Sequence, residues 1–195
     1  MKLIYDLKKD GWRDDFFYVW GPQAKTRNTF ELRTTDGWVC NSNQGAGFDY
    51  ISPISKKKYE AGVSVSASCR FYGDGAPLIV FSDDIVENTD KTSMYRLHFE
   101  VVIYKDGINV WRIVPRPETP KWPVESTLLF SVNFPIPEGE EKSFTVKIEE
   151  KRLVIALEGN TYTVDCDEIP KEFHVGFTAC EGACEFGSFS IETTE

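Results

Sequence analysis

Along Tyr95-Arg96-Leu97-His98-Phe99-Glu100-Val101-Val102-Ile103-Tyr104 the odd positions are Tyr, Leu, Phe, Val and Ile, while the even positions begin Arg, His, Glu. A period of two is an extended strand with one face in a core and the other turned out. The same period runs through Val63, Val65, Ala67, Cys69 and Phe71, which alternate with Ser64, Ser66, Ser68, Arg70 and Tyr72. It predicts strands over 2–7, 16–21, 29–35, 37–42, 62–72, 77–83, 95–104, 108–114, 127–134, 142–149, 152–158, 161–166, 172–180 and 186–192. Gly, Pro, Asn and Asp clusters separate them, as turn chemistry requires. No helical period of useful length occurs, and a short turn near residues 83–90 is the best helix candidate.

Two connections can be read closely. Glu149-Glu150-Lys151-Arg152 and Glu158-Gly159-Asn160 join three cleanly alternating strands into a meander. Tyr104-Lys105-Asp106-Gly107-Ile108 fits a type I turn with Gly107 in a left-handed bulge position. That bulge pairs Tyr104 with Ile108 and so sets Glu100 opposite Arg112, a carboxylate against a guanidinium. A two-residue Asp106-Gly107 turn would put Arg112 on the core side, where an unpaired guanidinium is costly. Between Pro115 and Pro123 four prolines stiffen one loop around Trp122. That loop is a rigid crossover at a sheet edge, or a wall presenting Trp122 to a ligand.

Some fourteen short strands without helices, in a chain of 195 residues, predict an all-β fold. Long, two-faced central strands favour a two-sheet antiparallel β-sandwich, here as one domain over residues 1–195. Charge narrows the partners. With 22 basic and 31 acidic side chains the net charge is −9, which disfavours nucleic acid and anionic membrane alike. Met1-Lys2-Leu3-Ile4-Tyr5 runs straight into Asp6, Lys8 and Lys9, so no apolar leader is expected, nor any run of ~20 apolar residues. The expected location is cytoplasmic. Five cysteines, Cys40, Cys69, Cys166, Cys180 and Cys184, leave at least one thiol outside any intrachain disulfide, and Cys69 reads as a small core hydrophobe. Cys180 and Cys184, separated by three residues around Glu181-Gly182, offer half of a zinc site, but no second Cys/His pair completes it. No metal or cofactor is expected.

The last third of the chain adds a resemblance. Phe144-Thr145-Val146-Lys147-Ile148 is followed by Leu153-Val154-Ile155-Ala156-Leu157-Glu158-Gly159-Asn160. Then come Phe173-His174-Val175-Gly176-Phe177 and Phe186-Gly187-Ser188-Phe189-Ser190-Ile191. This succession resembles the closing strands of the concanavalin A-like lectin/glucanase jelly rolls. The resemblance implies a jelly roll whose concave sheet contacts saccharide. The glycosidase branch of that superfamily carries a Glu-x-Asp-x-x-Glu strand, which is absent here, and legume-type metal ligands find no counterpart.

On this reading Arg96, His98 and Glu100 share an outward face with Arg112, and strand 62–72 adds Arg70 and Tyr72. Saccharide would lie across these residues, with Tyr72 and Trp122 as stacking surfaces and Asp84 at the rim. The plain alternative is a solvated face laced by ion pairs worth ~0.2–1 kcal/mol each. Catalysis is a further alternative, as a glycoside hydrolase or lyase using Glu100 with Asp84 or His98. Glycoside cleavage asks for two carboxyl groups at ~5–5.5 Å or ~6.5–9.5 Å, or for an acid–base partner such as His98. A third alternative is a non-catalytic subunit, self-associating or packed on another chain through one sheet face.

Overall fold

The computed structural model describes residues 1–9, 11–20, 33–35, 37–43, 51–87, 93–116 and 124–193. Its strands begin with β1 (Lys2–Asp6), β2 (Phe16–Trp20), β3 (Arg33–Thr35), β4 (Trp38–Asn43), β5 (Ile51–Ser55), β6 (Tyr59–Glu60) and β7 (Val63–Tyr72). There follow β8 (Pro77–Ser82), β9 (Ile85–Glu87), β10 (Ser93–Tyr95), β11 (His98–Tyr104), β12 (Gly107–Pro115) and β13 (Val124–Asn133). The last are β14 (Lys142–Ile148), β15 (Arg152–Leu157), β16 (Asn160–Asp165), β17 (Glu172–Ala179) and β18 (Gly182–Thr193). A single turn of 3-10 helix, Trp12–Asp15, precedes β2.

Sixteen of these strands form two eight-stranded antiparallel sheets, and β9 and β10 pair with each other. The first runs β16-β15-β14-β7-β18-β4-β3, with β1 also on β18; the second runs β13-β12-β11-β8-β17-β5-β2, with β6 on β17. The inner faces meet in one apolar core. Val63, Val65, Ala67, Cys69 and Phe71 of β7 face Phe99, Val101 and Ile103 of β11, all at most 1% exposed. The core therefore takes the residues that the period of two assigns to it. Phe81 and Phe99 stack with ring centroids 4.8 Å apart, and Phe177 packs on Phe186 and Phe189 across the sheets. The expected meander is present as β14-β15-β16.

Four sequence expectations change. Strand 95–104 is interrupted at Arg96 and Leu97, which form a bend between β10 and β11. There the Arg96 N–H donates to Asp84 O (3.1 Å) and the Asp83 N–H to Leu97 O (3.1 Å). The expected helical turn over 83–90 is strand β9 in its described part, paired with β10. Strand β5 escaped notice because all five of its residues are buried. Covered on both faces and broken by Pro53, it shows no alternation to read. Finally, β7 and β11 belong to different sheets, so Arg70 and Tyr72 lie on the opposite side of the sandwich from His98 and Glu100.

The β11–β12 register corrects the hairpin as well. Tyr104 pairs with Gly107, not Ile108, leaving Lys105-Asp106 as a two-residue loop; Glu100 lies opposite Trp111 and Phe99 opposite Arg112. A shift of one residue moves every side chain of β12 to the other face. Gly107 has φ 138°, and a Cβ there would come within 2.0 Å of Val132 O on β13, so the tight loop depends on glycine. The irregularity sits instead between β12 and β13, where Val110 pairs with Phe130 and Trp111 with Leu128.

Candidate functional site

A cavity of about 530 Å³ opens on the outer face of the second sheet. Its floor is one row from β11, His98, Glu100, Val102 and Tyr104, beside Asn109, Trp111 and Ile113 of β12. Val124 and Ser126 of the edge strand β13 close one side. The β7–β8 turn at Gly73–Ala76 and the Cys180-Glu181 turn between β17 and β18 close another. Farther across the sheet the outer face is covered by β9 and β10. Tyr95 is 1% exposed and its hydroxyl donates to Ser52 Oγ of β5. That cover packs Val19, Ile54, Leu78 and Val80 into a second apolar cluster with Tyr95 and Val102. The cavity thus lies beside the part of the sheet face that β9 and β10 cover.

Glu100 is the charged centre of the floor. It is 9% exposed, and His98, 3% exposed, stands next to it, with Nε2 3.6 Å from Glu100 Oε1. His98 Nδ1 lies 3.0 Å from Arg96 O. A carbonyl only accepts, so this bond assigns the proton to Nδ1 and turns Nε2 toward the carboxylate. The His98 ring also leans on Tyr95, centroids 4.9 Å apart. Burial pushes the Tyr95 phenol and the Cys180 thiol upward, and the negative charge of Glu100 adds to both shifts. Asn109 Oδ1 is buried without a hydrogen-bond partner among the described residues. At the mouth, Lys105 Nζ is tied to Asp74 Oδ1 at 2.9 Å.

The structure brings His98 and Glu100 together and separates the other expected site residues from them. Arg112 lies on the core-facing row of β12, opposite Phe99, and its guanidinium pairs with Glu168. That carboxylate supplies the counter-charge a core-side Arg112 needs, while Arg112 Nε is left without a hydrogen-bond partner among the described residues, and the register keeps the expected Glu100–Arg112 pair from forming. Arg96 is exposed in the β10–β11 bend. Asp84 sits between β8 and β9, its Oδ1 accepting the Ile85 N–H (2.9 Å), and is not among the cavity-lining residues. Arg70 pairs with Glu185 across β7 and β18 and lies over Trp38, 4.4 Å from its ring centre. Tyr72 is 42% exposed beside them. Trp122 lies outside the described residues.

Trp111, Tyr104 and Asn109, with the charged Asp74, Lys105 and Glu181, are cavity residues that sequence reasoning missed. The signal for Trp111 was present: a two-residue loop centred on Lys105-Asp106 puts it on the row of Glu100. All five cysteines are thiols. No group of three or more His, Cys, Asp or Glu among the described residues has the arrangement of a metal site, and no described helix is long and apolar enough to cross a membrane.

No family model matches the sequence, and no curated protein matches it. Solved structures do. The carbohydrate-binding module CBM66 from Bacillus subtilis aligns with TM-score 0.62 and 13% identity over 88% of this chain and 91% of its own. A glycoside hydrolase family 16 endo-glucanase from Bacteroides ovatus aligns with TM-score 0.59 and 9% identity over 97% and 99%. The kappa-carrageenase from Pseudoalteromonas carrageenovora, solved with an oligotetrasaccharide of kappa-carrageenan, aligns with TM-score 0.56 and 8% identity over 96% and 92%. At such identities the likeness is one of fold: the chain has the concanavalin A-like jelly-roll fold.

Proposed function

We propose that this protein binds saccharide in the cavity over β11–β13, with Glu100 as polar anchor and Trp111 as stacking wall. The carrying observation is a largely buried carboxylate, its side chain 12% exposed, placed directly opposite an indole on one cavity floor. A sugar ring offers an apolar C–H face and a belt of hydroxyls. The first suits an aromatic side chain, and the second suits an acceptor such as the Glu100 carboxylate. Mostly apolar walls with a few convergent polar groups are the usual make-up of a ligand pocket. That CBM66 and the glycoside hydrolases share this architecture supports the reading at the level of fold.

A glycan array followed by calorimetric titration tests it. At least one saccharide should bind, and Trp111→Ala and Glu100→Ala should each weaken that binding about ten-fold or more, or 1.4 kcal/mol, while the melting temperature stays near that of the parent. Absence of binding across the array, or variants that bind like the parent, would overturn the proposal.

Catalysis is the second reading, favoured by the His98–Glu100 contact alone. A general acid and base on neighbouring groups predicts a bell-shaped pH–rate profile and loss of turnover in Glu100→Gln. Turnover that survives Glu100→Gln removes Glu100 from any mechanism. The acidic residues that line the cavity with Glu100 are Asp74 and Glu181, so a two-carboxylate mechanism would draw its second member from these and not from Asp84. An odd number of cysteines, five, fits a reducing compartment such as the cytoplasm.

A further inference from the structure

We infer that the saccharide taken by this cavity carries a protonated amine, so that it selects amino sugars over neutral and acidic ones. This rests on the saccharide reading above and deepens it.

The argument starts from the carboxylate. Glu100 is 9% exposed; its nearest basic neighbour is His98, whose Nε2 stands 3.6 Å from Oε1, beyond hydrogen-bond reach, and bears no proton when the ring is neutral with its hydrogen on Nδ1; and no hydrogen bond reaches the carboxylate among the described residues. A carboxylate taken that far out of water calls for compensation by a cation or by several donors. Lys105 is the only lysine or arginine lining the cavity among the described residues, and Asp74 holds it at 2.9 Å. With that pair neutral, the remaining carboxylates are Glu100 on the floor and Glu181 at the exposed rim. An anionic sugar would meet like charge there. A hydroxyl satisfies a carboxylate lone pair; an ammonium does so and also supplies the missing charge, and such charge-assisted bonds are about twice as strong.

The wall chemistry agrees. Trp111 is the direct cross-strand neighbour of Glu100 on the same face, which brings Cβ atoms within ~4.5–5.5 Å, and Tyr104 lies farther along the β11 row. An aromatic face beside a carboxylate, with water partly excluded, is a setting in which a cation is attracted by both groups. The ring that stacks and the amine it bears would then be held by neighbouring side chains of one hairpin.

Three β-1,4-linked trimers of matched length test this by titration at about pH 6, where the ring amines, less basic than a lysine amine because of the neighbouring oxygens, are mostly protonated: the glucosamine, N-acetylglucosamine and glucose trimers. The glucosamine trimer should bind about ten-fold or more tightly than the other two, the size of a desolvated cation–aromatic contact. That preference should vanish in Glu100→Gln with its melting temperature retained. A glucose trimer that binds as well as the glucosamine trimer, or a preference that survives Glu100→Gln, overturns the amine inference and leaves the saccharide reading standing. Failure of all three trimers and of every glycan on the array overturns both. If Glu100→Gln does not fold, Trp111→Leu is measured instead, and an undiminished amine preference there overturns the inference.

Discussion

Glycine 176 shows how a single position is set by its neighbours. It lies in β17 between β8 and β5, and a Cβ there would come within 2.2 Å of Pro53 O and 2.9 Å of Ile54 Cα. Those atoms are backbone, so they cannot swing aside. Gly176→Ala should destabilise by about 1–3 kcal/mol, the usual scale of overpacking, read as a melting temperature lower by several degrees. His174, two residues earlier, is 7% exposed, and its Nδ1 is 2.8 Å from Ser55 O. Burial holds its pKa below the ordinary imidazole value; Lys58 lowers it further, while the Ser55 and Lys57 carbonyls and Asp84 oppose the shift. The unfolded imidazole therefore takes up a proton first as pH falls below about 6.5. Stability from this residue is whole above that pH and is lost as pH falls through the depressed folded value. Urea midpoints should drop between about pH 7.5 and pH 5, and His174→Gln should flatten that drop. An equally steep drop in the variant would remove His174 as its source.

At the scale of elements, the β11–β12 hairpin and the β9–β10 cover decide the site together. Alternation assigned Phe99, Val101 and Ile103 inward correctly, because one face of β11 belongs to the core whatever its partner does. Cross-strand identity was harder to read. It depends on whether two or three residues turn the chain after Tyr104, and the local sequence is compatible with both. The structure takes the two-residue loop, so Trp111 joins Glu100 and Arg112 goes to Glu168. The β9–β10 cover is held by the Tyr95 hydroxyl on Ser52 and by Ser93 Oγ donating to Tyr18 O (3.4 Å). Tyr95→Phe removes one donor and leaves Ser52 to its bond with Phe177 O (3.4 Å). It should destabilise by about 1 kcal/mol and speed hydrogen exchange in β9 and β10 before it does so in β7 or β14. Uniform acceleration across both sheets would show that the cover does not open as a separate unit.

At the scale of the whole molecule, net charge and pairing set the acid limit. Glu149 bonds Lys147 Nζ (2.7 Å) and Arg152, which hold its pKa down to about 2. Its stabilising contribution is therefore present above the unfolded value near 4.5 and is lost as pH falls through about 2. In Lys147→Met the acid-unfolding midpoint should therefore rise to higher pH, and an unchanged midpoint would assign the acid limit elsewhere. The sequence by itself determined the all-β class, the meander, the inward row of each long strand and the conjunction of His98 with Glu100, because each follows from short-range period and turn chemistry. Only the tertiary structure decided which strands share a sheet, that Arg70 and Tyr72 stand apart from Glu100, and that β5 is buried on both faces. Those facts depend on pairings between residues distant along the chain, such as Ser82 with both His98 and His174. No local pattern encodes such a pairing, since many strands of similar apolar period can satisfy the same backbone groups.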